Sequence, residues 1–147
     1  MTRNLNPIIP NIQFKVEIQD AWYSPEQCRK NSNKLYVYGD NLKRVGKGGQ
    51  AAIRDSFNSY GIATKRLPTM DVNAFFSDQP DEARALYEDI YNLLVTFHKF
   101  DDVFDTIVLP ADGLGTGLSQ MPVKSPILFN WMNDTLSLIL DVDFHPK

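Results

Sequence analysis

KLYVYGDNLKRVGKGGQAAI, residues 34–53, decides the fold class. Lys34-Leu-Tyr-Val-Tyr38 is rich in aromatic and β-branched residues, the composition of a strand. It runs straight into Gly39-Asp40-Asn41. A loop from Leu42 to Gly48 follows. A helix is expected from Gly49 or Gln50 to about Tyr60, with Ala52, Ile53 and Phe57 facing the core. A strand, a glycine-rich loop and a helix in that order make the first half of a parallel α/β unit.

The flanking sequence continues the pattern. Upstream, residues 1–11 are polar with two prolines and read as an irregular arm. Ile12 to Ile18 alternates apolar and polar residues, as a half-buried strand does. Ser24-Pro25-Glu26 can start a short helix, Ser as cap and Pro in the first turn. Downstream, Gly61 to Lys65 reads as a short strand and residues 66–80 as a long loop holding Phe75 and Phe76. Asp78 is expected to cap the next helix, with the stripe Ala83, Leu86, Tyr87, Ile90, Leu94 and Phe97 facing the core. Asp105 to Leu109 is a buried strand stopped by Pro110. Ala111 to Leu118 forms a second glycine-rich loop. A last helix is expected with Ser125 as cap, Pro126 in its first turn and the stripe Ile127, Leu128, Trp131, Thr135, Leu138 and Ile139. The expected fold is a single α/β domain over residues 12–147. It has three layers, α/β/α, around a mostly parallel mixed sheet.

Composition narrows the function. The chain has 147 residues and a net charge of −3, so a general nucleic-acid binder, which needs a basic surplus, is not expected. A local basic patch stays open, because Arg44, Lys47, Arg54, Lys65 and Arg66 cluster in the middle third. Cys28 is the single cysteine, and with His98 and His145 the only histidines no zinc-ligand set is expected. His98, at a helix end, is read as favouring the helix dipole. No apolar run approaches membrane-spanning length, and MTRNLNPIIPN lacks the apolar core of a signal peptide, so a cytoplasmic protein with no membrane partner is expected.

Seven of the eight glycines lie in the two strand-end loops: Gly39, Gly46, Gly48, Gly49, Gly113, Gly115 and Gly117. Glycine is placed where φ must be positive or where backbone must approach something closely. In parallel sheets ligands bind beyond the carboxyl ends of the strands, where both loops sit. Gly48-Gly49-Gln50-Ala51 opens the expected helix, whose N-terminal amides favour an anion. Gly113-Leu114-Gly115-Thr116-Gly117-Leu118 can aim several amides at one oxygen cluster. Together the loops suit a diphosphate. The competing reading is that these glycines only make tight turns.

The segments VYGDNLKRVGKGGQAAIRD, YGIATK and VLPADGLGTGL resemble the macrodomain pattern over roughly residues 34–140. That pattern has a strand ending in Asn, a glycine-rich loop opening a helix as GG-x-A, a short strand, and a late strand with a second loop of the form P-x-x-G-x-G. The likeness is to small macro-like proteins of phages and bacteria. It implies binding of ADP-ribose or a related NAD-derived nucleotide, as a reader or sequestering protein, with no cofactor. The alternative it implies is a hydrolase acting on ADP-ribose linkages, with an ADP-ribosylated substrate. The chain departs from the pattern at Gly39-Asp40-Asn41, where the family strand end is Asn-Ala-Asn, and at Asp112, where the family often has a small apolar residue.

Each side chain carries two readings. Asn41 and Asp40 either bond a ribose or form an Asx turn. Asp112 either holds a water for attack on an anomeric carbon or caps its loop. Phe75 and Phe76 either stack on adenine as a lid or plug the core. Thr64, Lys65 and Arg66, at a strand end, either face phosphate or meet solvent. Tyr36 and Tyr38 are read as packing. Binder and enzyme both remain open, as does the oligomeric state.

Overall fold

The computed structural model describes residues 2–4 and 13–144. The order along the chain is β1 (Thr2–Asn4), β2 (Gln13–Gln19), α1 (Pro25–Lys30), β3 (Lys34–Asn41), β4 (Ser59–Lys65), α2 (Pro80–Lys99), β5 (Thr106–Pro110), α3 (Met121–Lys124) and α4 (Pro126–Leu140). Short 3₁₀ turns lie at Gly49–Ile53 and Val72–Ala74. The sheet order is β1-β2-β5-β3-β4. The four strands from β2 to β4 run parallel, and β1 is antiparallel to β2. Within the segment expected to be an irregular arm, Thr2–Asn4 is therefore an edge strand. Residues 5–12 lie outside the described residues.

β3 is an interior strand, bonded to β5 on one side and β4 on the other. Its side chains alternate in environment, as strand geometry requires. Leu35 and Val37 join the larger apolar cluster with Leu86, Ile90, Leu93 and Phe97 of α2 and Leu128, Met132, Leu136 and Leu140 of α4. Tyr36 and Tyr38 join a smaller cluster with Cys28 of α1 and with Ala51 and Ile53 of the first 3₁₀ turn. β5 alternates likewise, Ile107 and Leu109 against Val108. Tyr23 ties the second face together: its hydroxyl donates to the carbonyls of Val37 (3.0 Å) and Val108 (3.3 Å).

Four expectations are corrected. The helix expected from Gly49 to Tyr60 is only the five-residue 3₁₀ turn Gly49–Ile53, and Phe57 is 65% exposed. The chain turns there because Asn58 is buried and its amide donates to the carbonyls of Cys28, Asn31 and Lys34, pinning the start of β4 against α1. On α2 the buried stripe includes Leu93, while Tyr87 faces out and stacks on Tyr91. On α4 the buried residues are Leu128, Met132, Asn133, Leu136 and Leu140, whereas Ile127, Trp131 and Leu138 face outward.

The fourth correction concerns the caps. Gln79, not Asp78, caps α2, in a capping box with Glu82. Asp78 instead reaches across to α4, accepting from the amides of Leu128 (2.9 Å) and Ile127 (3.3 Å). Ser125 makes no side-chain cap bond, and its buried hydroxyl has no partner among the described residues. The cap of α4 is thus supplied by a residue 50 positions upstream. Losing a cap costs about 1 kcal/mol. Asp78→Ala is expected to destabilise the protein by about that much or more, since Asp78 also sits at φ 59°. Ser125→Ala should change stability by less than about 0.5 kcal/mol, there being no bond to lose. Urea unfolding of both variants checks the pair; equal losses would return the cap to Ser125.

Candidate functional site

Asp40 lies near the carboxyl end of β3, paired with Ala63 of β4. Asp40 is 6% exposed, and the strand register shifts between Asp40 and Asn41. Such irregularities re-aim side chains near sites. The Asp40 carboxylate lies over Gly61 of β4, where a Cβ would sit 2.6 Å from Oδ2. Gly61 therefore must lack a side chain.

Asp40 is held by arginines. Arg54 donates to both carboxylate oxygens, Nη1 to Oδ2 at 2.9 Å and Nη2 to Oδ1 at 2.6 Å. The paired, two-bond geometry is the strongest that a carboxylate and a guanidinium make. Arg54 also donates to the carbonyls of Gly46 (2.7 Å) and Val45 (3.1 Å), fixing the first glycine loop. Bonding to Asp40 raises the Arg54 pKa further above its ordinary value. Arg44, at φ 58°, lies 3.6 Å from Asp40 and bonds Asp89 of α2 at 2.7 Å. Asp89 in turn accepts from the amide of Ala63. Asn41 forms the Asx turn: its Oδ1 accepts from the amide of Lys43 (3.0 Å), and its Nδ2 donates to the carbonyl of Val45 (2.8 Å).

The basic cluster seen in the sequence is mostly neutralised. Arg44 pairs with Asp89, Lys47 with Asp55, Arg54 with Asp40, and Arg66 with Asp81 and Glu82. Lys65 differs. It is 7% exposed, and Nζ donates to the Thr69 carbonyl at 2.7 Å, with no carboxylate partner among the described residues. Burial lowers its pKa.

The second loop meets the end of β3. A Cβ on Gly39 would lie 3.8 Å from the Gly115 nitrogen and 3.3 Å from Thr64 Oγ1. Thr64 bonds Ser119 (2.6 Å), joining β4 to the loop. Gly113 (φ 90°) and Gly115 (φ 80°) occupy the left-handed region, and a side chain at Gly115 would also strike Met121. Thr116 bonds the Asp112 carbonyl, and Asp112 itself is exposed. The amides of Leu114, Gly115, Thr116, Gly117, Leu118 and Ser119 have no acceptor among the described residues. Leu114 and Gly115 are buried residues, and buried amides are almost always paired. Successive backbone amides form an anion-binding concavity only where they converge.

The remaining predicted residues divide clearly. Gly48 and Gly117 have open space where a side chain would point. Gly46 (φ 96°) and Gly49 (φ 59°) are conformational glycines. Gln50 is occupied, accepting from the Tyr23 amide at 2.8 Å. Ala51, Leu114 and Phe76 pack in the apolar clusters, so Phe76 is core and not a lid. Phe75 is 7% exposed, with Lys65 and Lys124 against its ring. Leu118 is exposed. The five-residue turn at Gly49–Ile53 is too short for the dipole argument made for a helix there.

Sequence reasoning missed Trp22. It follows β2, is 67% exposed, and its ring lies 3.7 Å from where a Cβ on Gly49 would be. A solvent-facing tryptophan three residues beyond a strand end was the available signal. It also missed the Arg54–Asp40 pair, which no local pattern announces. Among the described residues no three His, Cys, Asp or Glu side chains gather as a metal site requires, and no helix is long and apolar enough to cross a membrane.

The chain belongs to a family of unknown function, DUF7831, whose model matches residues 18–135. Among the curated proteins and the solved structures, none matches.

Removing one partner of a buried ion pair costs about 3–5 kcal/mol, because the other charge is left uncompensated. Arg54→Met is expected to destabilise by about 3 kcal/mol, Arg44 offsetting part of the loss. Combining it with Asp40→Asn should recover part of that loss, and strict additivity in denaturant unfolding would refute the coupling. Lys65 provides a pH test. Its folded pKa lies below the ordinary 10.5, so the unfolded chain binds the proton more tightly. Its charged form therefore disfavours folding at low pH, and that penalty is relieved as pH rises from the lowered value to 10.5. Wild type should gain stability relative to Lys65→Met across that window; a pH-independent difference would show that Lys65 is not desolvated.

Proposed function

We propose that this domain binds an ADP-ribose-like nucleotide across the carboxyl edge of its sheet, as a reader or sequestering protein. The observation that carries the reading is the run of unpaired amides from Leu114 to Ser119, two of them on buried residues, beside Gly39. A diphosphate supplies the acceptors these donors lack. Trp22 offers an exposed aromatic face beside Gly49 for a base, a role that core-bound Phe76 is not free to take. Helices α2 and α4 on one sheet face, with α1 and the first 3₁₀ turn on the other, support reading the fold as a three-layer macro-like arrangement.

Asp40 and Asn41 act here as scaffolding: their side chains are committed to Arg54 and to the Asx turn. For the hydrolase alternative the carboxylate to test is Asp112, exposed at the second loop and in no ion pair among the described residues. Release of ADP-ribose from a modified substrate, lost in Asp112→Asn with affinity kept, would assign the enzyme.

Gly117 is the clean probe. It is outside the left-handed region and has open space at its Cβ position, so a side chain is tolerated. ADP-ribose is expected to bind with micromolar or tighter affinity by calorimetry. Gly117→Glu sets a carboxylate against the diphosphate; at about 4 Å and an effective dielectric near 20, that repulsion is about 4 kcal/mol. Affinity should fall by about a thousandfold, with the melting temperature unchanged. Gly48→Glu is the matching probe of the first loop, cleaner than Gly49, whose φ of 59° makes any side chain costly. Flat heats for the folded wild-type protein across ADP-ribose, ADP and NAD would reject the proposal.

A further inference from the structure

On the β4 side of the sheet edge, a cleft of about 770 Å³ opens between Leu42-Lys43, the segment from Arg66 to Ser77, and Lys124 at the end of α3. This volume is in the range of small-molecule sites. No residue of the second glycine loop lines it. Its walls carry three cations, Lys43, Arg66 and Lys124, and no carboxylate. Arg66 is neutralised from behind by Asp81 and Glu82. Lys43 and Lys124 have no carboxylate partner among the described residues.

Phe75 concentrates the charge further. The Lys124 ammonium lies 5.1 Å from the ring centroid, and that of Lys65 lies 5.0 Å from it. Lys65 is buried and unmatched by any carboxylate among the described residues. Two lysines without a carboxylate partner among the described residues thus flank one aromatic ring, and Lys43 lines the same cleft, in a protein whose net charge is −3. Low-dielectric walls, here Leu42, Leu67, Phe75 and Phe76, focus such a field into the cleft. Val72, 90% exposed, extends the apolar wall outward.

We propose that this cleft is a second ligand site, for an organic phosphomonoester. The phosphate is held by Lys43 and Lys124, and the apolar body lies along Leu67, Val72 and Phe75. A phosphomonoester is favoured over a carboxylate because it approaches two negative charges at neutral pH, its second pKa being about 6. Lysine binds such a group as a mobile point charge and does not need bidentate geometry. This inference does not rest on the glycine-loop reading. The phosphate has two chemically equivalent sources: a separate phosphorylated molecule, or a distal phosphate on a nucleotide held by the glycine loops.

The test uses the full chain, isotopically labelled, with phenyl phosphate, inorganic phosphate and phenol as probes followed by amide shifts. Phenyl phosphate is expected to give saturable shifts at Lys43, Asn73, Phe75 and Lys124, inorganic phosphate weaker ones, and phenol none. Lys43→Gln and Lys124→Gln alter exposed side chains and should fold normally, each weakening phenyl phosphate about tenfold. Gly117→Glu should leave it unchanged, which separates this site from the glycine loops. Competition between phenyl phosphate and ADP, which carries the terminal phosphate that ADP-ribose lacks, would identify the distal end of one nucleotide, and simultaneous binding a separate ligand. Loss of ADP-ribose binding alone leaves this proposal standing. Absence of saturable shifts, shifts centred on residues 114–119, or wild-type affinity in both lysine variants would overturn it.

Discussion

The Asp40 carboxylate sits buried near the end of β3, and the residues around it are arranged to satisfy it. Its position requires Gly61 opposite, because any Cβ there would overlap the carboxylate. It requires Arg54, whose guanidinium then has donors left for the Val45 and Gly46 carbonyls. The first glycine loop takes its path from those bonds. Arg44 extends the network to Asp89, so the end of the sheet is fastened to the middle of α2. An uncompensated carboxylate in this place would cost several kcal/mol, comparable with a large share of a small domain's stability.

That arrangement gives the two glycine loops different characters. The first is pinned by side chains and lies at the surface, where water can satisfy its free amides. The second is held mainly by its own backbone and by the Thr64–Ser119 contact, and its amides from Leu114 to Ser119 have no acceptor among the described residues. Donors of that kind are costly to leave unmatched. The edge therefore carries two kinds of donor: backbone amides of the second loop without an acceptor among the described residues, and lysine ammonium groups beyond β4. An acidic protein can present both because its surplus carboxylates lie elsewhere or are spent in neutralising arginines.

The elements themselves were legible. Lys34–Asn41, Thr106–Pro110 and the long α2 follow from strand composition and helical periodicity, and the caps and prolines gave their approximate ends. The mostly parallel sheet was legible too, whereas the misassigned elements depended on distant side-chain partners. On α4 the expected stripe and the buried one share Leu128, but Ile127, Trp131 and Leu138 face outward, because the helix is apolar on more than one face and only packing against the rest of the core selects one. The helix after Gly49 stopped early because Asn58 bonds to three carbonyls far upstream.

The sequence by itself determined the alternation of strands and helices, the two glycine-bearing strand ends and the conformational need for glycine at several of their positions. These are local properties, set by side-chain branching, period and φ. The tertiary structure alone decided which charges remain free. In sequence the middle third reads as a basic cluster, yet four of its five cations are spent on carboxylates up to 45 residues away, and only Lys65 is left. It also decided that Asp78 caps a helix 50 residues downstream and that Trp22 stands beside Gly49. Coulomb and hydrogen-bond partners are chosen by distance in space, and a one-dimensional pattern carries no record of that distance.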